Sequence, residues 1–168
     1  RAYGSNVKIS DKASLYGCAN ISIGNNVRID DFCVLSAGEG GITIKNNVHI
    51  AINASIIGAG EVLIEDFCGI SARVAIYSSN DDYSGEYMSN PTVPEEFTNV
   101  NRAPVAVGKH VIIGAGSVVL PGVVIEEGAV VGALSLVNTR CERFGIYAGV
   151  PAKRIKERKT KLLEVETR

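Results

Sequence analysis

Aliphatic side chains recur at a spacing of six along most of this chain. Ile9, Leu15 and Ile21 form one run, and Ile23, Ile29 and Leu35 the next. Ile44, Ile50 and Ile56 follow, then Ile64, Ile70 and Ile76. After an interruption the series is unbroken through Val107, Ile113, Val119, Ile125, Val131 and Val137. A helix turning every ~3.6 residues smears such a period around its whole circumference, so no apolar face results. One alternating strand of that length is implausible in a globular domain. The pattern instead predicts a chain that turns a corner every six residues. Three faces close a triangular coil, and successive coils stack their aliphatic residues inside a prism.

Four positions after each aliphatic residue the side chain is again small or β-branched: Val27, Cys33, Val48, Ala54, Cys68, Val74, Ser117, Val123, Ala129 and Ser135. Larger groups there overfill a narrow interior. Gly24, Gly108, Gly114 and Gly132 follow the aliphatic residue directly, where a corner or a close approach of backbone favours glycine. Asn pairs at 25–26 and 46–47 supply further corner chemistry. Counting triplets of faces gives about six coils, with parallel strands on each face.

Two segments break the repeat. Residues 77–106 read as a long polar excursion leaving the prism, with Gly85, Pro91, Pro94 and Pro104 along it. A loop of that length is functional or disordered, and Tyr77, Tyr83, Tyr87 and Phe97 favour an ordered, functional one. Residues 151–168 lack glycine, open on Pro151, and place Ile155, Leu162, Leu163 and Val165 among charges. That predicts a short amphipathic α-helix. The division is a β-helix domain over 1–150 and a helical cap over 151–168.

Composition narrows the class. Hydrophobic residues make up 46% of the chain and aromatics 6%, with no Trp, so the core is built from small and β-branched groups. A net charge of −1 supplies no field to recruit nucleic acid or an anionic membrane. No apolar run reaches membrane-spanning length and no signal peptide is evident, which points to a cytoplasmic protein without membrane insertion. Cys18, Cys33, Cys68 and Cys141 show no CxxC spacing and read as small buried thiols in a reducing compartment.

The runs VGKHVI-IGAGSV-VLPGVV-IEEGAV-VGALSL (107–136), followed by GVPAKRIK (149–156), resemble the hexapeptide-repeat acyltransferases. The resemblance is closer to the galactoside, maltose and xenobiotic acetyltransferase branch, which includes sugar acyltransferases of surface-polysaccharide biosynthesis. It implies an all-β fold: a left-handed parallel β-helix of hexapeptide repeats with a long excursion loop and a short C-terminal α-helix. The hand comes from the resemblance alone, since parallel crossovers are ordinarily right-handed. The resemblance also implies a homotrimer whose loop reaches a neighbouring subunit, acetyl-CoA or another acyl-CoA as cosubstrate, a sugar or nucleotide-sugar acceptor, and no metal. Ala115 and Ala133 are then expected along the pantetheine arm, and Asn138 and Thr139 in the following turn. Lys153 and Lys156 are expected at the coenzyme A phosphates, with Arg154 and Arg158 in the same basic cluster. Arg140 stands where the family pattern has a lysine after threonine, and is a candidate to replace that charge.

In the resembling enzymes a histidine at the start of the loop takes the proton from a sugar hydroxyl. Here the stretch IYSSNDDYSG (76–85) contains none. Asp81, Asp82 and Glu86 are candidate bases if burial raises their pKa values, and Asn80 and Tyr83 are candidate sugar contacts. His49 is a further candidate base, acting from a neighbouring subunit; it and His110 fall at exposed repeat positions. Alternatively the acceptor is an amine. With a pKa near about 8, by analogy with an α-amino group, a sugar amine is partly neutral at cytoplasmic pH, whereas a hydroxyl usually needs a base. The missing histidine therefore tilts the reading toward N-acylation of a nucleotide-linked amino sugar. O-acetylation with a carboxylate or His49 as base stays open. So do a zinc enzyme on the same fold, which needs three nitrogen ligands where the chain has two histidines, and a non-catalytic assembly module.

Overall fold

The computed structural model describes residues 2–167, and the six-residue repeat closes into a parallel β-helix. The first face stacks Ala2–Tyr3, Ile21–Ile23, Ile42–Ile44, Val62–Ile64, Val105–Val107 and Val124–Ile125. The second stacks Lys8–Ile9, Arg28–Ile29, His49–Ile50, Gly69–Ile70, Ile112–Ile113, Val130–Val131 and Gly145–Gly149. The third carries Ser14–Tyr16, Val34–Ala37, Ser55–Gly58, Ala75–Tyr77, Val118–Val119 and Leu136–Val137. Six coils are complete, and Gly145–Gly149 begins a seventh.

The aliphatic period is the interior column. Ile29, Ile50, Ile70 and Ile113 of the second face are each no more than 1% exposed, and burying such a side chain contributes roughly 1.5–3 kcal/mol. The small residues four positions later are buried as well. The two serines among them are satisfied: Ser117 Oγ and Ser135 Oγ donate to the Gly132 carbonyl at 2.9 and 2.8 Å.

Corners follow the residues that tolerate them. Asn6, Asn26 and Asn47 occupy the left-handed conformation between the first and second faces, which asparagine adopts more readily than most residues. Their neighbours form a ladder: the Asn25 N–H donates to Asn46 Oδ1 at 2.8 Å, and the Asn46 N–H to Asp66 Oδ1 at 2.7 Å. Gly114 is required for a different reason, close approach: a Cβ there would lie 2.5 Å from the Ala133 nitrogen of the next coil.

The excursion leaves after Ala75–Tyr77 and returns at Val105–Val107. Its stem is a short antiparallel pair, Ser79–Asn80 with Asn101–Arg102. The stem sits on Gly60, whose carbonyl accepts from Ser78 Oγ at 2.7 Å. A Cβ on Gly60 would meet the Ser78 and Ala103 carbonyls at 2.7 and 2.8 Å, so the preceding corner holds glycine to seat the loop.

The C-terminal segment departs from expectation. Ala152–Glu157, expected within a helix starting at Pro151, is a strand antiparallel to Gly145–Gly149. The last strand of the second face would otherwise present an open row of N–H and C=O groups, and the returning chain pairs with it. The α-helix is confined to Leu162–Glu166. Among the described residues no helix is long and apolar enough to cross a membrane.

Candidate functional site

Asp81 stands at the loop stem between two clefts. One, of about 420 Å³, is walled by Tyr77, Ser79, Asn80 and Tyr83 and, from the next coil, by Val118, Leu120 and Pro121. The other, of about 620 Å³, lies toward the preceding coil and the loop, with Ile57, Asn90, Thr98 and Arg102 in its wall. Asn80 is fixed between them: its Nδ2 donates to the Asp81 carbonyl at 2.8 Å, and its Oδ1 accepts from Asn101 Nδ2 at 3.1 Å.

The three candidate carboxylates of the loop separate by environment. Asp82 Oδ2 accepts from the Ser84 N–H at 3.1 Å and from Ser84 Oγ at 2.7 Å, so it closes a turn. Glu86 is exposed on the outer loop, and Tyr83 is 88% exposed. Asp81 is half-buried, and among the described residues its carboxylate accepts no hydrogen bond.

Neither histidine joins this group. His49 lies on the second face, exposed, with its Nε2 2.8 Å from Asp30 Oδ2. Burial works against ionisation of Asp30, but hydrogen bonds from His49 and Arg28 outweigh it and hold the carboxyl below its usual range. His110 corrects an expectation. It occupies a left-handed corner with φ 60°, its ring stacks on Phe67 with centroids 5.1 Å apart, and its side chain is only 11% exposed. Its Nε2 lies 2.8 Å from Glu166 Oε2, tying the last helix to the prism. A stacked ring is compatible with that corner because the residue beneath it is also aromatic.

The residues expected at the cofactor divide between two corners. Ala115 and Ala133 sit one above the other where the second face meets the third, the Leu134 N–H donating to the Ala115 carbonyl at 2.9 Å. Lys153 pairs with Ala148 and Lys156 with Ile146, and the Gly149 N–H donates to Ser135 Oγ at 3.1 Å, so this strand pair closes the same edge. Asn138 and Thr139 lie at the other end of the third face, on the corner from which the loop departs. The third face separates the two corners by about five residues, roughly 16 Å at strand rise. One chain therefore does not bring Asp81 together with Ala115 and Ala133.

The basic cluster also divides. Arg154 pairs with Glu142 at 2.5 Å and with Glu157. Arg158 Nη1 donates to the His110 and Gly128 carbonyls at 2.8 and 3.0 Å, and burial lowers its pKa. Lys153 and Lys156 are exposed and make no ion pair among the described residues. Arg140 is committed to Glu126 through its Nε at 2.6 Å. That contact, with the Arg143 N–H, holds the Glu126 carboxyl below its usual range. Four cysteines are free, three of them buried.

Sequence reasoning passed over Ser71 and Arg73. They flank Ala72, whose carbonyl accepts from the Gly116 N–H at 2.9 Å, so Ala72, Ala115 and Ala133 form one column. The signal was present: each follows an interior aliphatic residue, Ile70, Ile113 or Val131, by two positions.

Residues 104–139 match the bacterial transferase hexapeptide (six repeats). The chain is 64% identical over 167 residues to a dTDP-4-amino-4,6-dideoxy-D-glucose acyltransferase from Escherichia coli, covering 99% of this chain and 87% of that one. An aspartate-to-asparagine variant of AntD, an N-acyltransferase from Bacillus cereus, solved with dTDP and coenzyme A, is 46% identical with a TM-score of 0.94, over 99% of this chain and 89% of that one. The same enzyme has been solved with dTDP and 3-hydroxybutyryl-CoA, and a variant with dTDP-4-amino-4,6-dideoxyglucose and coenzyme A. Its variants alter one aspartate, or one serine ten residues earlier in that chain. In this chain Ser71 and Asp81 are the one serine and aspartate with that spacing. A galactoside acetyltransferase in complex with coenzyme A, 22% identical with a TM-score of 0.64 over 95% of this chain and 66% of that one, shares the fold.

Proposed function

The chain belongs to the hexapeptide-repeat transferases, and from that premise we propose that it is an acyl-CoA-dependent N-acyltransferase acting on a dTDP-linked 4-amino sugar. The likeness to relatives with that activity extends over 99% of the chain. The observation that carries the reading here is a loop stem with no imidazole, where the one half-buried carboxylate free of partners among the described residues is that of Asp81. A base strong enough for a sugar hydroxyl is not needed when the nucleophile is an amine.

The neutral amine nitrogen attacks the thioester carbonyl carbon and forms a C–N bond. The tetrahedral oxyanion collapses, the C–S bond breaks, and the sulfur leaves as thiolate. The proton lost by nitrogen ends on that sulfur, giving an amide and free coenzyme A. In this reading Asp81 accepts a hydrogen bond from the amine, aims its lone pair and relays the proton; Asn80 fixes the stem.

The catalytic unit is a homotrimer. The third-face width between Asp81 and the Ala115–Ala133 column supports a site completed by two protomers, the loop stem of one facing the column of the next. Lys153 and Lys156 then meet the coenzyme A phosphates, Ala115 and Ala133 flank the pantetheine arm, and the 1–150 coil with its C-terminal cap acts as one unit. Free thiols and an acyl-CoA cosubstrate fit the cytoplasm.

The test is thiol release from acetyl-CoA and from 3-hydroxybutyryl-CoA, offered dTDP-4-amino-4,6-dideoxyglucose or the same nucleotide sugar with a hydroxyl in place of the amine. Turnover confined to the amine supports the reading. Equal turnover with the hydroxyl points instead to O-acylation, with His49 as the next group to replace. No turnover and no coenzyme A binding leaves an assembly module.

A further inference from the structure

Arg73 is set apart from the other described arginines. Arg28 pairs with Asp30, Arg102 with Glu39 and Glu95, Arg140 with Glu126, Arg143 with Glu127, and Arg154 with Glu142 and Glu157. Arg158 is spent on main-chain carbonyls. The Arg73 guanidinium has no acceptor among the described residues, and the residue is exposed. An exposed guanidinium with all its donors free suits a phosphate, which it can bind through two parallel hydrogen bonds.

Its position says which phosphate. Arg73 holds a left-handed corner with φ 58°, directly after Ala72 at the foot of the Ala72–Ala115–Ala133 column. Lys153, paired with Ala148 beyond Ala133, stands at the head of that column. The two cationic positions are four strand steps apart, about 19 Å at ~4.8 Å per step. Acyl transfer joins two substrates by their uncharged ends, the thioester of one and the amine of the other. Their phosphates must therefore extend in opposite directions from the reacting centre. With the coenzyme A phosphates at Lys153 and Lys156, the acceptor's diphosphate extends toward the foot of the column.

We propose that Arg73 binds the diphosphate of the nucleotide-linked acceptor and thereby sets the requirement for a nucleoside diphosphate sugar over a free sugar. The inference rests on the acyl-transfer reading, and its test separates the two.

Calorimetric binding of dTDP and of thymidine is compared in wild type, Arg73→Gln and Arg73→Lys, beside initial rates with varied acceptor and varied acyl-CoA. The expected result is that wild type prefers dTDP to thymidine and Arg73→Gln loses most of that preference. The acceptor KM rises about tenfold or more, the scale of a lost charged hydrogen bond, while the KM for acyl-CoA holds. Arg73→Lys recovers part of the affinity. A rise confined to the acyl-CoA KM would assign the arginine to coenzyme A and overturn the proposal, as would unchanged dTDP binding in Arg73→Gln. Failure of wild type to bind dTDP at all would instead remove the acyl-transfer reading beneath it. Coenzyme A binding checks that each variant is folded.

Discussion

Asp81 and Asp82 are neighbours with the same chemistry, and only their hydrogen-bond partners tell them apart. Ser84 occupies Asp82, whereas Asp81 faces the clefts with no partner among the described residues. Asp81→Asn should therefore lower kcat about 100-fold or more, the lower range for a positioned proton acceptor, and Asp82→Asn should cost less, through a looser turn. Thiol-release kinetics on both variants check this; an equal loss in Asp82→Asn would remove Asp81 from its role. The cysteines give a second expectation at this scale. Burial pushes the thiol of Cys68 up to about 12 and that of Cys141 up to about 11, so almost no thiolate forms at neutral pH. Iodoacetamide at pH 8 should leave both unmodified in the native protein and alkylate them after unfolding, as read by mass spectrometry.

Among elements, the helix Leu162–Glu166 depends on contacts its own length cannot replace, since five residues make a marginal helix in isolation. Leu162 and Val165 line an apolar recess with Phe67 and His110. Lys109, and after it His110, hold the Glu166 carboxyl below its usual range. A depressed folded-state pKa contributes stability above the unfolded value and loses it as pH falls through the folded one. Docking should therefore be intact at neutral pH and weaken below about 4.3, the unperturbed glutamate value. The protection of residues 161–167 from hydrogen exchange, taken against the intrinsic rate at each pH, should fall on acidification in wild type. In Glu166→Gln protection should already be low at pH 7, and a pH-independent protection factor in wild type would contradict the ion-pair account.

At the scale of the whole molecule, the two corners that carry the candidate site are held apart by the third face of the same chain. If the site is completed between protomers, two impaired variants damaged at opposite corners should restore each other. Asp81→Asn spoils the loop stem and Ala133→Trp fills the column. Refolded as a mixture they should exceed the activity of either alone, because some interfaces then combine two intact corners. Sedimentation should give a trimer. Absence of complementation in a verified mixed trimer would place the whole site within one protomer.

The hexad period alone determined the coil, the interior columns and the point where the loop leaves, because a narrow prism admits only certain side chains at fixed intervals. The missing loop histidine was likewise legible, and it tilted the chemistry toward an amine. What the period could not convey was pairing between groups far apart in sequence. Burial and a stacked Phe67 made His110 structural, Glu126 claimed Arg140, and an open sheet edge drew residues 152–157 into a strand despite Pro151 and the amphipathic pattern after it. Ser71 and Arg73 gained interest only once Ala72 was seen beneath Ala115. A repeat specifies which residues face inward, since burial is a local property of the pattern. Which outward-facing charges are free to meet a substrate depends on every neighbour they have, and only the tertiary structure assembles those neighbours.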